Sequence, residues 1–265
     1  MNNTTATVND LSWPEVQDYL KQGCKIAILP FGHTEQHGPH LPFGADTYFI
    51  SAVTKMGAEL ANKEAGKPIA LVFPTIPFGN GGKFADGELR LRPSTFMALF
   101  TDLLQELEAQ GFTKAIIATG HGSNSSVMGD ALNEAYWNHS KMDGYLVYPY
   151  SFIRKEIKEE LEGDDYGHAC EVETSIMLHL CPDKVHMDRI PNDDEQPEFW
   201  AQQETIPAAK DQIVDHLWPL PRQVDISTMP GYVGRPRFAT KEKGEKFVNA
   251  WVRQFADFLL ALDKE

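Results

Sequence analysis

Between positions 33 and 46 the chain carries His33, Glu35, His37, His40 and Asp46, all able to bind a metal or move a proton. The stretch follows Gly32 and is broken by Gly38, Pro39, Pro42 and Gly44, so it reads as a shaped loop. Carboxylates and imidazoles gathered on one loop suit Zn, Mn or Fe(II). Glu35 and His37 are two apart, so in an extended piece they point the same way. Asp46 stands just before a helical pattern, and two roles are open to it, ligand or N-cap. His33 and His40 are equally readable as loop histidines bonded to backbone.

Two further clusters lie far along the chain. In "GHGSNSS" (120–126), glycines on both sides of His121 permit tight turns and leave space for a ligand beside the ring. The competing reading has His121 capping the next helix; Ser123 and Asn124 read as that helix's N-cap. In "YGHACEVETSIML" (166–178), helical spacing puts Glu173 among Val172, Ile176, Met177 and Leu180, on the apolar face, and Glu171 on the opposite side. A carboxylate facing a core needs a cation, a strong donor or a proton. A metal would meet that need. His168, just before this helix, is placed for proton transfer or for orienting a ligand. Cys170 reads as a buried structural thiol, since nothing adjacent marks it as activated.

The elements that must position these groups are short. "KIAILPF" (25–31), "IALVFPTI" (69–76), "KAIIATG" (114–120) and "YLVYPY" (145–150) are β-branched-rich and bounded by Gly or Pro, which predicts buried strands. Residues 47–62, 94–110, 124–138 and about 241–263 carry helical periodicity. This alternation predicts an α/β fold, a single domain over 1–265 with a mostly parallel sheet flanked by helices. The region 190–235 has poor periodicity and reads as an irregular excursion capping the core. Ligands of such folds bind beyond the carboxyl ends of the strands, where the first loop and the His121 loop both fall.

Composition narrows the function further. With 265 residues, 42% of them hydrophobic, the chain can bury a substantial core. No apolar run approaches the ~20 residues of a membrane span, and "MNNTTATVND" lacks the order of a secretory signal. Three scattered cysteines suggest a reducing cytoplasm. A net charge of −14, with no basic stripe, argues against nucleic acid as a partner.

Four motifs in order, "GHTEQHGPHLPFGAD", "TGHGSNSS", "HACEVETS" and "GYVGRPRFATKEKG" (231–244), resemble the creatininase (creatinine amidohydrolase) family over nearly the whole chain. The resemblance implies a three-layer α/β sandwich with one or two divalent ions, often a binuclear centre, and a homo-oligomer, hexameric in several members. It makes Glu35, His37, Asp46 and His121 metal ligands, with Asp46 bridging where two ions bind, and leaves His33 and His40 in support. Ser123 stands where creatininase itself has a ligand glutamate, and Glu173 is the natural substitute. The family commonly has a Ser and a Glu-His pair after the second strand. This chain has Gly81, Lys83 and Phe84 there, and no tryptophans around 150–167, so creatinine is not the expected substrate.

The expected activity is metal-dependent hydrolysis of a small polar cyclic amide or related C–N bond. An acidified water attacks a carbonyl while His168 or Glu173 moves the proton. Asn124 or the amides around Gly122 would face the oxyanion, and Arg235, with Arg237, would orient a polar substrate. Two alternatives stand beside it: C–C ring opening of an oxidised inositol-type cyclic diketone, and a metal- or sugar-binding protein without turnover.

Overall fold

The computed structural model describes residues 5–81, 85–138, 140–148, 150–163, 167–191, 231–232 and 234–265. Four parallel strands lie in the order β2-β1-β3-β4, with β1 Ile26–Phe31, β2 Ala70–Val72, β3 Lys114–Thr119 and β4 Asp143–Val147. Side chains alternate between two cores, as the period of a strand requires. Ile26, Ile28, Ile116 and Ala118 face one, packed by helices α2 (Ala45–Ala65), α6 (Glu171–Leu180) and α7 (Lys241–Leu262). Ala27, Leu29, Phe31, Ala115 and Ile117 face the other, with α1 (Trp13–Lys21), α3 (Pro93–Ala109) and α4 (Asn124–Trp137). Both faces are covered, which is why the strands read as unbroken apolar runs. A short α5, Arg154–Glu160, follows β4. Among the described residues no helix is long and apolar enough to cross a membrane.

Several boundaries differ from the sequence reading. The second strand ends at Val72 instead of running to 76, because Pro74 has no N–H to give the ladder. Ile76 rejoins the sheet as an isolated bridge, its N–H on Pro30 O at 3.0 Å. The fourth strand occupies Asp143–Val147 instead of 145–150, since Asp143 and Gly144 already pair with β3. Helix α2 begins at Ala45 with Gly44 as N-cap, so Asp46 lies inside its first turn and does not cap it. Helices α1 and α5 were not foreseen. For α1 the signal was present: Ser12 and Glu15 form a capping box, Ser12 Oγ and N donating to Glu15 Oε2 at 2.6 and 2.7 Å. The excursion expected over 190–235 lies almost wholly outside the described residues.

Two seams fix where the polar clusters sit. Phe31 of β1 pairs with Thr119 of β3, so the two strands end level. The first turn of α2 lies directly on those ends. A Cβ on Gly120 would stand 2.3 Å from the Asp46 carbonyl oxygen, and one on Gly32 would stand 2.2 Å from Thr47 Oγ1. The second seam joins α6 to α7, where a Cβ on Gly244 would come 1.8 Å from Ser175 O. Beside it Lys243 Nζ donates to Glu171 Oε1 at 2.6 Å and to Glu162 Oε1 at 2.5 Å. Glu171 is therefore turned inward, 1% exposed, contrary to the opposite-face expectation. Its charge is met by a lysine from another helix, which helical spacing alone does not reveal.

Gly244→Ala should destabilise the fold by about 1–3 kcal/mol through overpacking against α6. Urea denaturation should show a lower midpoint at unchanged slope; an unaltered midpoint would contradict the packing described.

Candidate metal centre

The loop after β1 is held in shape by its own backbone and one neighbour. Glu35 N donates to Phe43 O at 3.1 Å and Gln36 N to Glu88 Oε1 at 3.1 Å. Gly38, at φ 65°, makes a left-handed turn that costs little without a side chain. On this frame the His37 Nδ1–H donates to Glu35 O at 3.0 Å, which turns Nε2 toward the carboxylates. That nitrogen lies 3.1 Å from Asp46 Oδ1 and 4.0 Å from Glu173 Oε2. From β3, His121 Nδ1 lies 2.9 Å from Glu35 Oε2 and 3.3 Å from Asp46 Oδ2. His168 brings Nδ1 to 3.9 Å from Glu35 Oε2.

Three groups result, each with its donor atoms within 4.8 Å of one another: Glu35–Asp46–His121, His37–Asp46–Glu173 and Glu35–His37–His168. Glu35 Oε2 and Asp46 Oδ2 are buried and, though close to His121, stand outside hydrogen-bond geometry. Buried carboxylate oxygens without a bond are costly. A divalent cation among these oxygens and imidazole nitrogens would satisfy them, so the donor set fits a metal.

The charges respond to one another. Burial alone would lower His37, but Asp46 first, then Glu173 and Glu35, raise it to about 10. Burial likewise opposes the charge on His121, and Asp46 and Glu35 raise it to about 10. Burial would lift Asp46, yet the two histidines hold it well below the usual carboxylate range. His40 is pushed down to about 4 by burial and by His37. The Cys170 thiol is pushed up to about 12 by burial and by Glu173, in keeping with a structural thiol.

The remaining expected residues are placed as follows. His33 Nδ1 accepts from Gly79 N at 3.1 Å, and His40 Nε2 meets Thr174 Oγ1 at 2.9 Å, tying the loop to its neighbours. The Asn124 side chain is fully buried and committed. It donates to Gly32 O and Thr119 Oγ1 and accepts from Asn80 N, which leaves nothing for an oxyanion. Ser123 holds the N-cap position of α4 without a side-chain capping bond. Gly122 is exposed, with open space about its α-carbon. Arg235 is exposed and lies over the Phe238 ring at 5.9 Å, while Arg237 donates to the carbonyls of Ile190 and Pro191, as a brace. Lys83 and Phe84 lie outside the described residues. Sequence reading missed Tyr150, whose hydroxyl donates to Glu173 Oε1, and Gln36, whose carbonyl accepts from His168 Nε2 at 2.6 Å. No local pattern marks Tyr150; Gln36 sat unremarked between two marked residues.

A parallel α/β sandwich with buried carboxylates and imidazoles at the carboxyl edge of β1 and β3 is the frame of a metal-dependent enzyme. The chain belongs to the creatininase family: the profile described as creatinine amidohydrolase matches residues 9–259. It is 26% identical to the creatinine amidohydrolase of Pseudomonas putida, covering 94% of both chains. It is 25% identical to the 3-dehydro-scyllo-inosose hydrolase of Thermotoga maritima, covering 91% of this chain and 78% of that one. It is 29% identical to the mycofactocin precursor peptide peptidase of Mycolicibacterium smegmatis, covering 88% and 83%. A manganese creatininase structure superimposes with a TM-score of 0.77 at 25% identity, over 96% of this chain and 97% of that one. A Zn-Zn creatininase variant gives the same TM-score and identity, over 96% of each chain. The chain is thus a metal-dependent hydrolase with divalent metal as cofactor.

His37 and His121 have folded values of about 10 against an ordinary 6.5. Metal-stripped protein therefore gains full stability from these pairs below about pH 6.5 and loses it as pH rises through about 10. Metal binding must displace the same protons, so affinity should tighten as pH rises through this window, with proton release. Calorimetric titration in buffers of different ionisation enthalpy measures both; affinity independent of pH would contradict the ion-paired geometry.

Proposed function

We propose that the chain hydrolyses a small polar cyclic amide, or a related C–N bond, at a two-metal site. In this reading Glu35, Asp46 and His121 hold one ion and His37, Asp46 and Glu173 the other. The observation that carries it is the split of the Asp46 carboxylate, Oδ1 facing His37 Nε2 at 3.1 Å and Oδ2 facing His121 Nδ1 at 3.3 Å. Zn or Mn suits these donors, and Fe(II) is compatible with them.

Divalent metal in such a set supplies Lewis acidity, which acidifies a water and polarises a carbonyl. His168 handles the proton. Its Nε2 stands 2.6 Å from the Gln36 backbone carbonyl, which only accepts, and 3.1 Å from the Gln36 side-chain nitrogen, which only donates. The shorter contact favours the ring proton on Nε2, with the Nδ1 lone pair turned to the Glu35 side. At a quarter exposed, the ring stands where Nδ1 can take a proton from attacking water and return it to the leaving nitrogen. Glu173 already accepts from Tyr150 and from Ala169 N, which favours a ligand over a proton carrier. The Gly122 amide, next along the chain from His121 and at an exposed residue, would be the donor for the developing oxyanion. Arg235 is left to the polar rim. The reading includes a homo-oligomer in the cytoplasm, which light scattering and fractionation measure.

The mycobacterial peptidase relative, by its name, supports amide cleavage. The second reading, C–C ring opening of an oxidised inositol-type diketone, is favoured by the Thermotoga relative's name and by Gly81. A Cβ there would stand 3.2 Å from His33 Nε2 and from His121 Nε2, so its absence keeps that side of the two imidazoles uncrowded.

Metal analysis of His37→Ala should show one ion lost and one retained; full retention would sink the ligand assignment. Lactams, formamides and oxidised inositols, screened against metal-loaded enzyme, should yield an amine-bearing acid for the first reading. A nitrogen-free ring-opened acid would select the second.

A further inference from the structure

Glu173 enters the site from the first turn of α6, and both of its oxygens are already addressed. The Tyr150 hydroxyl donates to Oε1 and the Ala169 N–H to Oε2, the oxygen that lies 4.0 Å from His37 Nε2. Neither donor is placed by chance. The Tyr150 ring stacks on Phe49 with 6.5 Å between centroids and 19° between planes, and Phe49 sits about one turn of α2 beyond Asp46. Ala169 holds φ 49°, a left-handed conformation costly for a residue with a side chain and kept where the surroundings over-determine it. Asp46, Phe49, Gly120, Tyr150 and Glu173 line one narrow cleft. The helix that carries the shared carboxylate therefore also seats the ring that aims Glu173.

We propose that Tyr150 is a positioning residue for one metal position alone. By bonding Oε1 it fixes the carboxylate plane so that Oε2, which also accepts from the Ala169 N–H, faces the His37 side. It so sets occupancy of the His37–Asp46–Glu173 position without governing the Glu35–Asp46–His121 position. This rests on the two-metal reading above. Without the hydroxyl, Glu173 keeps only the Ala169 N–H as donor, and its carboxylate is freer to rotate away from the orientation that turns Oε2 to the His37 side, which weakens that position.

Tyr150→Phe removes the hydroxyl and keeps the ring. In the metal-stripped full chain, competition titration with Zn²⁺ against a chromophoric chelator should show one class of site weakened about 10- to 100-fold and the other unchanged. With Co²⁺, the visible spectrum of one bound ion should change and that of the other should not, a readout that general destabilisation would not give. In a Glu173→Gln background, Tyr150→Phe should add no further loss, because its target is already gone. Equal weakening of both sites, no weakening of either, or an additive loss in that background would overturn the inference. Should Glu173→Gln by itself leave both ions at full affinity, the two-metal ligand set falls and this inference with it. A lost site in Glu173→Gln combined with wild-type binding in Tyr150→Phe overturns the tyrosine's role alone.

Discussion

One buried carboxylate organises the structure. Asp46 sits in the first turn of α2, where the helix dipole favours negative charge, with its two oxygens turned to two different imidazoles. Its backbone carbonyl is pressed so close to Gly120 that no side chain fits there. The requirement that β1 and β3 end level, and that α2 begin on top of them, follows from placing this one group. His37 reaches it from the loop after β1, His121 from the end of β3, and Glu173 approaches the same His37 nitrogen from α6, at 4.0 Å.

The α6–α7 seam supplies the other half of the frame. Glu171 and Glu173 both lie in the first turn of α6, yet one is bonded to Lys243 and the other is aimed at the site. Lys243 also holds Glu162, and Glu171 accepts the Glu162 and Gly163 amides, anchoring the chain that leads toward His168. Thr240 caps α7 and donates its N–H to Ser175 Oγ, while Gly244 lets the two helices touch. The motif "GRPRFATKEKG" thus has a mechanical role. Buried pairs of this kind add little net stability, and their value lies in fixing one arrangement, which here is the aim of α6.

The loop histidines show how similar residues diverge. His37 turns Nε2 toward two carboxylates and is drawn up to about 10, while His40 meets Thr174 and is held near 4 by burial and by His37 itself. His33 is tied to the Gly79 amide and stays beside His121, 4.6 Å between ring centroids. Three residues apart in sequence, His37 and His40 differ because one faces the polar edge of the sheet and the other faces α6.

The sequence alone determined what local rules can reach. Alternating apolar runs and helical periodicity specify the parallel α/β sandwich, and the glycine-flanked loops after β1 and β3 specify the edge where chemistry gathers. Glu35, His37, Asp46 and His121 stand out as candidates because residue type and spacing mark them. Glu173 was singled out as a carboxylate on an apolar face, although it is the less buried of the two α6 carboxylates, 17% exposed against 1% for Glu171. Only the tertiary structure decided the partners that come from afar: Lys243 for Glu171, 72 residues away, Tyr150 for Glu173, 23 away, and the backbone that consumes Asn124. Periodicity reports which way a side chain points from its own helix or strand. It carries no information about which group from another element will stand opposite, and that opposition fixes each charge and each hydrogen bond in the site.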